Sequence, residues 1–391
     1  MNSTWVALAL LVFPALYAAK MLAFRRAWNL IPQSPLPERD KALANKVSSP
    51  DSVMFSVLVA ARNEAENLPN LLTDLAKQSL QVFDYEVIVI DDNSLDATAE
   101  LVLQAVVASP LTLRLIRLAD QPNTPTGKKA ALQAGLEAAQ APWVICTDAD
   151  CRVGPNWLRS YAEVVAYDPE VRFVSGPVLL TGPESGWHSL IGVEFVGLVG
   201  VGAASIGAGA PTMCNGANLA YRREAFAAVQ GFAGNEHVPS GDDEFLLHKL
   251  HAAYPGSVRF LKNSNAIVTT AAPPTLAAFL AQRVRWASKW QHYQAAAPQH
   301  LAVLVLLANV ALLVGLVLAI ARPTLWPWVA VVWVLKLGSD AWFMQPVLQF
   351  FNRRRWLWWL VPLQVAYAPY ALAVGLLGLR GGYSWKGRSV T

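Results

Sequence analysis

The sequence predicts an α/β domain with a mainly parallel sheet, and apolar helices precede and follow this domain in the chain. Between about residues 53 and 290, short apolar runs alternate with amphipathic segments, in the order strand, helix, strand. Across the whole chain, 54% of the 391 residues are hydrophobic and 15% are charged, whereas about 25% are charged in an average soluble domain. The apolar excess lies mainly at the two ends, which indicates membrane segments there.

The elements of the predicted α/β domain follow one another closely. The four predicted strands are Phe55–Ala61, Tyr85–Asp92, Leu111–Leu118 and Ala141–Asp148. Helical periodicity follows each of the first three strands: one helix begins near Pro69, one runs through Ala97–Val107 after a cap at Ser94, and one spans Lys128–Gln140. Because each parallel connection needs a crossover, this alternation predicts a parallel sheet of the nucleotide-binding type.

The apolar ends predict an N-terminal anchor and about three C-terminal membrane helices. Trp5–Phe24 is apolar apart from Lys20, and its arginines come after the run, which is the reverse of a cleaved signal peptide. Leu301–Ala321 has no charge and is long enough to cross a hydrocarbon core of ~30 Å. Two further apolar segments cover about Leu325–Phe351, with Lys336 and Asp340 inside it, and Trp356–Leu379.

The basic residues give a partly contradictory topology. Arg25 and Arg26, together with the run 353–355, predict that the middle domain lies in the cytosol. The tail from Arg380 to Arg388 is also basic but falls outside in this topology. Either the last apolar segment is re-entrant or the tail is an exception, and both alternatives stay open.

Acidic and polar side chains end three of the predicted strands, namely Arg62-Asn63-Glu64, Asp91-Asp92-Asn93-Ser94 and Asp148-Ala149-Asp150. In parallel sheets, ligands collect at the carboxyl ends of the strands. Asp148 and Asp150 are two residues apart, so in extended backbone their carboxylates project to the same side, and a cation between them removes their repulsion. Oxygen ligands of this kind suit Mg²⁺ or Mn²⁺.

Three later segments also carry candidate residues. Asp242 and Asp243 precede an apolar stretch, where they are either ordinary helix-start residues or a general base. The stretch Thr275–Trp290 predicts an amphipathic helix at the membrane interface. Gly192–Gly209 is apolar and rich in glycine, and we interpret it as an interfacial or acceptor-facing helix with Glu194 at a lipid entrance.

Several function classes are disfavoured. There is no G-x-G-x-x-G after the first strand and no G-K-[ST] loop, which argues against a dinucleotide-binding fold and against a P-loop nucleoside triphosphatase. The three cysteines form no C-x-x-C pair, so they predict neither a disulfide framework nor a zinc cluster. The net charge of +4 is concentrated near the membrane segments, which favours lipid headgroups over nucleic acid as its partners.

The ordered motifs VLVAARNEAENL, VIVIDDNSLDAT, GKKAAL, TDAD, SGDDEFL and QRVRW resemble the membrane-bound family 2 glycosyltransferases. These have a GT-A fold and include relatives of cellulose, chitin and hyaluronan synthases and of lipid glucosyltransferases. The resemblance covers about Phe55 to Trp290. It implies an anchor at 1–26, a GT-A domain at 53–272, an interfacial helix at 273–298, membrane helices at 299–380 and a basic tail at 381–391.

The resemblance also implies a role for individual residues. On the nucleotide-sugar side it implicates Ala61, Arg62, Glu64, Asp91, Asp92, Lys128 or Lys129, Asp148, Asp150, Gln282, Arg285 and Trp286. Among these, Asp92 contacts the base, Asp148 faces the ribose and Asp150 holds Mn²⁺ or Mg²⁺. Asp243 is the base that deprotonates the acceptor hydroxyl, and Asp242 orients it. Arg285 stabilises the departing diphosphate, while Trp286, Asn215 and Asn218 line the acceptor side.

Three alternatives are weighed against this reading. The D-x-D and D-D pairs also suit a phosphotransferase with a covalent aspartyl-phosphate at Asp148, although its nucleophilic strand usually opens the domain. A non-catalytic membrane protein with solvated acidic faces is a second alternative. Among glycosyltransferases, we favour single transfer to a membrane lipid, whereas the complete Q-x-x-R-W favours a processive polysaccharide synthase with a growing glycan as acceptor.

Overall fold

The computed structural model describes residues 3–33, 53–81, 84–121, 125–235, 238, 241–293, 295–379, 383–385 and 388–390. The chain divides into two compact units. The helical unit comprises Met1–Leu30, Gly182–Thr212 and Ala272–Gly381, and the α/β unit comprises Ile31–Thr181, Met213–Ala271 and Gly382–Thr391. A segment inside the predicted domain 53–272 therefore belongs to the helical unit.

The strands of the α/β unit are β1 Phe55–Ala61, β2 Tyr85–Asp91, β3 Leu113–Arg117, β4 Trp143–Asp148, β5 Cys151–Arg152, β6 Phe173–Ser175, β7 Val178–Thr181, β8 Leu219–Arg222, β9 Val258–Phe260, β10 Val268–Ala271, β11 Tyr383–Trp385 and β12 Arg388–Val390. In chain order, α1 Ser3–Leu30 lies in the helical unit. The helices of the α/β unit are then α2 Leu68–Ala76, α3 Thr98–Ala108, α4 Lys128–Ala138 and α5 Trp157–Tyr167. The prediction of an α/β domain with alternating strands and helices is confirmed.

Seven of the described strands form one mixed sheet in the order β3-β2-β1-β4-β8-β6-β9. β1 is parallel to β2 on one side and to β4 on the other, and β2 is parallel to β3. β8 is antiparallel to β4 and to β6. The chain thus reverses its direction of strand addition at β1. In sheets of this kind, ligands bind beside such a reversal at the carboxyl ends of the strands, here those of β1, β2 and β4.

The apolar runs explain the centre of this sheet. Every residue of β2 is buried, as is every residue of β1 except Ala60, which is what a parallel strand covered on both faces requires. Three local predictions are wrong. The third and the fourth strand each begin two residues later than predicted. Ser94 does not cap α3, because its hydroxyl instead accepts a hydrogen bond from the backbone N–H of Asn63 at 3.0 Å.

The remaining helices are α6 Gly186–Gly207, α7 Arg223–Ala228, α8 Asp242–Ala253, α9 Leu276–Ala287, α10 Ala296–Ala321, α11 Trp326–Phe350 and α12 Leu360–Leu379. Of these, α7 and α8 belong to the α/β unit, and the others join α1 in the helical unit. The interfacial helix predicted over Thr275–Trp290 is α9, with Thr275 as its N-cap, followed by a short 3₁₀ segment, Ser288–His292.

In the described part of the chain, four helices are long and apolar enough to cross a membrane: Trp5–Leu30, Gly186–Gly207, Ala296–Ala321 and Arg354–Gly378. By length and composition, these helices are candidate membrane spans. The set differs from the predicted one, because it includes α6, for which we predicted an interfacial helix. It omits α11, because Lys336, Asp340 and the Trp and Gln side chains of this helix lower its mean hydropathy.

Glycines on α6 allow close packing inside the helical unit. A Cβ at Gly200 would approach a methyl of Val347 on α11 to 2.9 Å, and one at Gly192 would meet the ring of Trp356 at 2.5 Å. Small residues at helix interfaces are a general means by which membrane helices approach one another closely. The glycine-rich composition of this segment is therefore explained by packing.

Candidate active site

One charged cluster lies at the carboxyl end of the sheet in the α/β unit. We define the acidic cluster as Lys128, Asp148, Asp150, Asp242 and Asp243. Asp148 is the last residue of β4, and Asp150 lies in the turn that leads to β5. Ligand atoms of Asp148, Asp150 and Cys151 lie within 4.8 Å of one another. The two carboxylates are thus close as predicted, but a turn brings them together, and not the alternation of an extended strand.

Lys128 supplies the positive charge of the acidic cluster. It is the first residue of α4, and Gly127 before it has φ 109°, a conformation that favours glycine. The Lys128 ammonium donates to Asp148 Oδ1 at 2.6 Å and lies 4.0 Å from Asp242 Oδ2. Burial alone lowers the pKa of Lys128, but the carboxylates of Asp148 and Asp242 outweigh it and raise this pKa above its ordinary value.

The neighbouring Lys129 points to a different place. Its ammonium donates to the backbone carbonyls of Asn235 and Val238 and lies 5.3 Å from the centre of the Phe245 ring. The sequence left open which of the two lysines serves the nucleotide site. Among the contacts of the described residues, Lys128 reaches the carboxylates of the acidic cluster, whereas Lys129 reaches the carbonyls of Asn235 and Val238, which favours Lys128 for this role.

Asp242 and Asp243 form the first turn of α8, after Gly241 with its φ of 85°. Asp243 Oδ2 accepts a hydrogen bond from the backbone N–H of Gly216 at 2.8 Å, and its Oδ1 accepts one from the N–H of Glu244 at 2.8 Å. Two backbone donors therefore fix the plane of the Asp243 carboxylate. Ser240, which belongs to the same sequence motif, lies outside the described residues.

Gly216 is a site residue that the sequence analysis missed. A Cβ at this position would lie 3.3 Å from Lys128 Nζ, 3.5 Å from Asp243 Oδ2 and 3.6 Å from Asp242 Oδ2. The backbone N–H of Gly216 donates to Asp243, so this residue lies against the acidic cluster. The Asn215-Gly216 dipeptide was the available signal, because such pairs mark tight turns.

The end of β2 contacts the start of α4. Asp91 and Asp92 are each 2% exposed, and Asp92 Oδ1 accepts from the backbone N–H of Gly127 at 3.1 Å. The backbone N–H of Asp92 donates to the carbonyl of Ala61 at the end of β1 at 2.8 Å. Asp92 thus lies beside the glycine that precedes Lys128, which connects the second strand end with the acidic cluster.

The loop after β1 packs against the same edge of the sheet. The Arg62 guanidinium donates to the backbone carbonyls of Asp92 and Asn93, at 2.6 and 3.0 Å. Glu64 is buried, accepts from the Asn67 amide at 2.8 Å, and its backbone N–H donates to Thr98 at 2.8 Å. These contacts tie the first two strand ends into one rigid edge.

Asn218 does not have the predicted acceptor role. It is fully buried, and its Oδ1 accepts from the Trp157 indole at 2.9 Å and the Tyr161 hydroxyl at 2.7 Å. Its Nδ2 donates to the carbonyls of Pro177 and Ala266, at 2.7 and 2.9 Å. These four bonds use the hydrogen-bonding capacity of the amide, so the side chain holds the fold together and has nothing to offer an acceptor.

Asn215 and the Q-x-x-R-W residues have other surroundings. Asn215 Oδ1 accepts from the backbone N–H of Ala217 at 3.0 Å, which makes it a turn residue beside Gly216. Gln282, Arg285 and Trp286 all lie on α9 in the helical unit. At spacings of three and four residues, they occupy neighbouring positions on the helix surface.

The residues of the acidic cluster fit a divalent cation. Asp148 and Asp150 provide carboxylate oxygens, the ligands that Mg²⁺ and Mn²⁺ prefer. Asp150 is exposed, so a bound cation keeps ligand positions open for water or a phosphate oxygen. Cys151 is buried, and burial raises the pKa of its thiol well above the ordinary value, which disfavours the thiolate that metal binding requires.

Comparisons with known proteins agree with this geometry. Residues 143–379 match the model of glycosyl transferase family group 2, and residues 56–229 match that of glycosyl transferase family 2. A solved structure, the mannosyltransferase PcManGT from Pyrobaculum calidifontis in complex with GDP-Man and Mn²⁺, superposes with a TM-score of 0.55 over 96% of this chain and 97% of that one, at 21% identity. At that identity the likeness establishes the fold.

Two curated relatives differ in the share of the chain that they match. The poly-beta-1,6-N-acetyl-D-glucosamine synthase of Staphylococcus aureus is 27% identical over 234 residues, which is 60% of this chain and 53% of that protein. The dolichyl-phosphate beta-glucosyltransferase of Dictyostelium discoideum is 34% identical over 108 residues, which is 26% of this chain and 32% of that protein. The chain thus spans about half the length, or less, of these relatives.

The family match covers more than half of the chain, and the mixed sheet, the D-x-D turn at Asp148–Asp150 and the D-D pair at Asp242–Asp243 occur in the order that the resemblance predicted. The chain therefore belongs to the family 2 glycosyltransferases, with a GT-A domain and helices that are long and apolar enough to cross a membrane.

Proposed function

We propose that the protein transfers a sugar from a nucleoside-diphosphate sugar, with uridine as the favoured base, to a hydroxyl group of a membrane lipid. The observation that carries this proposal is the meeting of Asp148, Asp242 and Asp243 around Lys128 at the carboxyl ends of the parallel strands. So many carboxylates at one sheet edge are costly unless a cationic or hydrogen-bonding ligand lies between them.

On the donor side, the nucleotide lies along the ends of β1, β2 and β4. Asp92, with Asp91 beside it, receives the base, and Asp148 faces the ribose. The Lys128 ammonium lies between Asp148, at the end of β4, and Asp242, at the start of α8. When a donor phosphate oxygen replaces Asp148 as its partner, the ammonium binds that oxygen.

Asp150 and Asp148 hold the Mn²⁺ or Mg²⁺ that we propose as cofactor. Bound there, a divalent cation neutralises charge that develops on the diphosphate leaving group. For Arg285, Gln282 and Trp286 on α9, the roles that the resemblance implies, at the leaving group, the sugar and the acceptor, stay predictions.

Asp243 accepts the proton of the attacking hydroxyl. The acceptor oxygen forms a bond to the anomeric carbon while the bond from that carbon to the diphosphate oxygen breaks, so the configuration inverts. The N–H groups of Gly216 and Glu244 hold the Asp243 carboxylate in one plane, which directs its remaining lone pairs. A positioned carboxylate base contributes a rate factor of about 10²–10⁴.

The charged residues among the membrane helices support single transfer to a lipid. Lys336 is 2.8 Å from Asp340 and 3.3 Å from Gln364, so these groups satisfy one another without a glycan. A lipid acceptor needs only to present its hydroxyl at the interface. A processive polysaccharide synthase is a second candidate, and the observation in its favour is the 234-residue likeness to the poly-N-acetylglucosamine synthase.

For location, we propose the plasma membrane of a bacterial-type cell, with the α/β unit in the cytosol, where nucleotide sugars are made. The arginines at 25 and 26 and at 353–355 support this orientation. Protease digestion of sealed inside-out and right-side-out vesicles tests it, because only inside-out vesicles then expose the α/β unit.

The function is tested on membranes that contain the protein, with a panel of labelled nucleotide sugars. We expect one donor to give label that extracts into organic solvent, and we expect EDTA to abolish it and Mn²⁺ or Mg²⁺ to restore it. If the label instead stays in the aqueous phase or the insoluble residue, as part of long sugar chains, the protein is a polysaccharide synthase. Label trapped covalently on Asp148 contradicts direct displacement.

A further inference from the structure

Arg283, which directly follows Gln282 on α9, makes several contacts with charged, polar and aromatic side chains of the helical unit. It is 3% exposed, and its guanidinium binds the Glu194 carboxylate with two nitrogens, with Nε 3.0 Å from Oε1. Glu194, on α6, is 6% exposed and also accepts from the Tyr370 hydroxyl of α12 at 3.2 Å. A lipid entrance at Glu194 was predicted, but this carboxylate lies inside the unit.

The same guanidinium contacts two residues of the Q-x-x-R-W motif. Its Nη1 donates to Gln282 Oε1 at 2.5 Å, and its Cζ lies 4.2 Å from the ring centre of Trp286. Arg283 and Trp286 are three residues apart, so they share a face of α9. The Phe195 ring of α6 flanks the Trp286 ring at 6.1 Å.

We infer that Glu194 and Arg283 are a positioning pair that sets the Gln282 amide and the Trp286 ring for substrate binding. Glu194 fixes the guanidinium plane by a two-pronged bond, and the guanidinium then fixes both motif residues. Because Gln282 Oε1 accepts from Arg283, the N–H groups of the amide are the part of this side chain that can donate to an oxygen atom of a substrate. This inference rests on the proposed function for the identity of that substrate.

A lysine at 283 cannot replace the arginine. Lysine keeps the positive charge and the ion pair with Glu194. Its single ammonium group, however, cannot form a bidentate bond to the carboxylate, donate to the Gln282 amide and stack on the Trp286 indole at the same time. Arg283→Lys therefore preserves the charge at this position but loses the planar, bidentate contact of the guanidinium. Glu194→Gln does the opposite, because it preserves the shape and removes the charge.

The first test reads the position of Trp286 directly. The protein is labelled with 5-fluorotryptophan, and Trp286→Phe assigns the fluorine signal of this residue. We expect Glu194→Gln and Arg283→Lys to shift and broaden that signal. Asp340→Asn is the matched control, because it makes the same chemical change in another ion pair of the same unit, and it leaves the signal in place. An unmoved Trp286 signal in both variants overturns the inference, whatever the activity.

The second test separates positioning from loss of structure. The nucleotide sugar selected by the panel is supplied with vesicles of the expression host's total lipid, and separately in detergent, where water is the acceptor. We expect both variants to lower transfer to lipid by about 10-fold or more, since small misplacements of a binding group have effects of this size. We expect donor hydrolysis to fall less than transfer, because hydrolysis does not need the acceptor that Trp286 binds.

The outcomes separate the inference from the proposed function. If donor hydrolysis and transfer fall by the same factor, and this fall follows the loss of thermal stability as it does in Asp340→Asn, the pair is only structural and the inference is wrong. If the wild-type protein neither transfers nor hydrolyses any donor of the panel, the proposed function fails, and the fluorine spectra still decide whether the pair positions Trp286.

Discussion

The two units of this chain use charged side chains in different ways. In the α/β unit, the acidic cluster contains four carboxylates and one ammonium, and Asp150 is exposed. In the helical unit, the two ion pairs described above, Glu194–Arg283 and Lys336–Asp340, match one acid with one base and are largely buried. The first arrangement has an excess of negative charge that a cationic ligand relieves, whereas the second is already neutral and holds side chains in place.

The largest expected effect is on the acidic cluster. Asp243→Asn keeps one acceptor oxygen for the N–H of Gly216, loses the acceptor for the N–H of Glu244 and removes the base, so we expect transfer to fall by about 10²–10⁴-fold while donor binding persists. Initial rates and the binding of radiolabelled donor measure the two effects. Asp120→Asn, at an exposed surface carboxylate in the same unit, is the control and keeps full activity. Normal turnover by Asp243→Asn shows that the base is another residue.

A buried ion pair in the helical unit tests the other side of the comparison. Asp340→Asn keeps an acceptor for the Tyr17 hydroxyl but leaves the Lys336 ammonium uncompensated, and we expect a loss of about 3 kcal/mol in the free energy of unfolding. The double variant Lys336→Met with Asp340→Asn removes both charges and recovers most of it. Unfolding in detergent, followed by circular dichroism, measures this. A double variant no more stable than the single one shows that charge balance is not the reason for the pair.

Lys128→Met tests whether the ammonium offsets the carboxylates of the acidic cluster. Without it, Asp148 and Asp242 repel each other, and because the pair is partly solvated we expect only about 1 kcal/mol of destabilisation. Millimolar Mg²⁺ recovers this loss, since a cation that binds the native state stabilises it. Lys129→Met is the matched control, and Mg²⁺ gives it no specific recovery, because Lys129 contacts carbonyls. Equal responses of both variants contradict the assignment of Lys128.

The smallest effect concerns the thiols around the same site. Cys146 is buried under the acidic cluster, and burial raises its pKa to about 12, whereas Cys214 is partly exposed two residues before Gly216. We expect N-ethylmaleimide at neutral pH to label Cys214 in the native protein, and Cys146 and Cys151 only after denaturation. Peptide mass spectrometry measures the order. If Cys146 of the native protein is labelled as fast as Cys214, the residues below the acidic cluster are accessible to solvent.

Some site residues could be predicted from the sequence because their positions follow from local rules. The apolar runs at Phe55–Ala61 and Tyr85–Asp91 identify parallel strands, and parallel strands bring their carboxyl ends to one edge, so Asp92 and Asp148 were expected near each other. Asn218 was misassigned, because a polar residue in a loop-like segment gives no sign of the four buried partners that only the folded chain provides.

The sequence alone determined the family, the α/β character of the central domain, the apolar helices and the acidic residues of the D-x-D and D-D motifs. It did so because periodicity, strand ends and motif order are local properties of the chain. Only the tertiary structure decided that Lys128 joins the acidic cluster while Lys129 contacts the carbonyls of Asn235 and Val238, and that Gly216 donates to Asp243. It also decided that Glu194 pairs with Arg283, 89 residues away. Such choices depend on which distant segments pack together, and burial then makes the cost of an unpaired charge large enough to fix one partner.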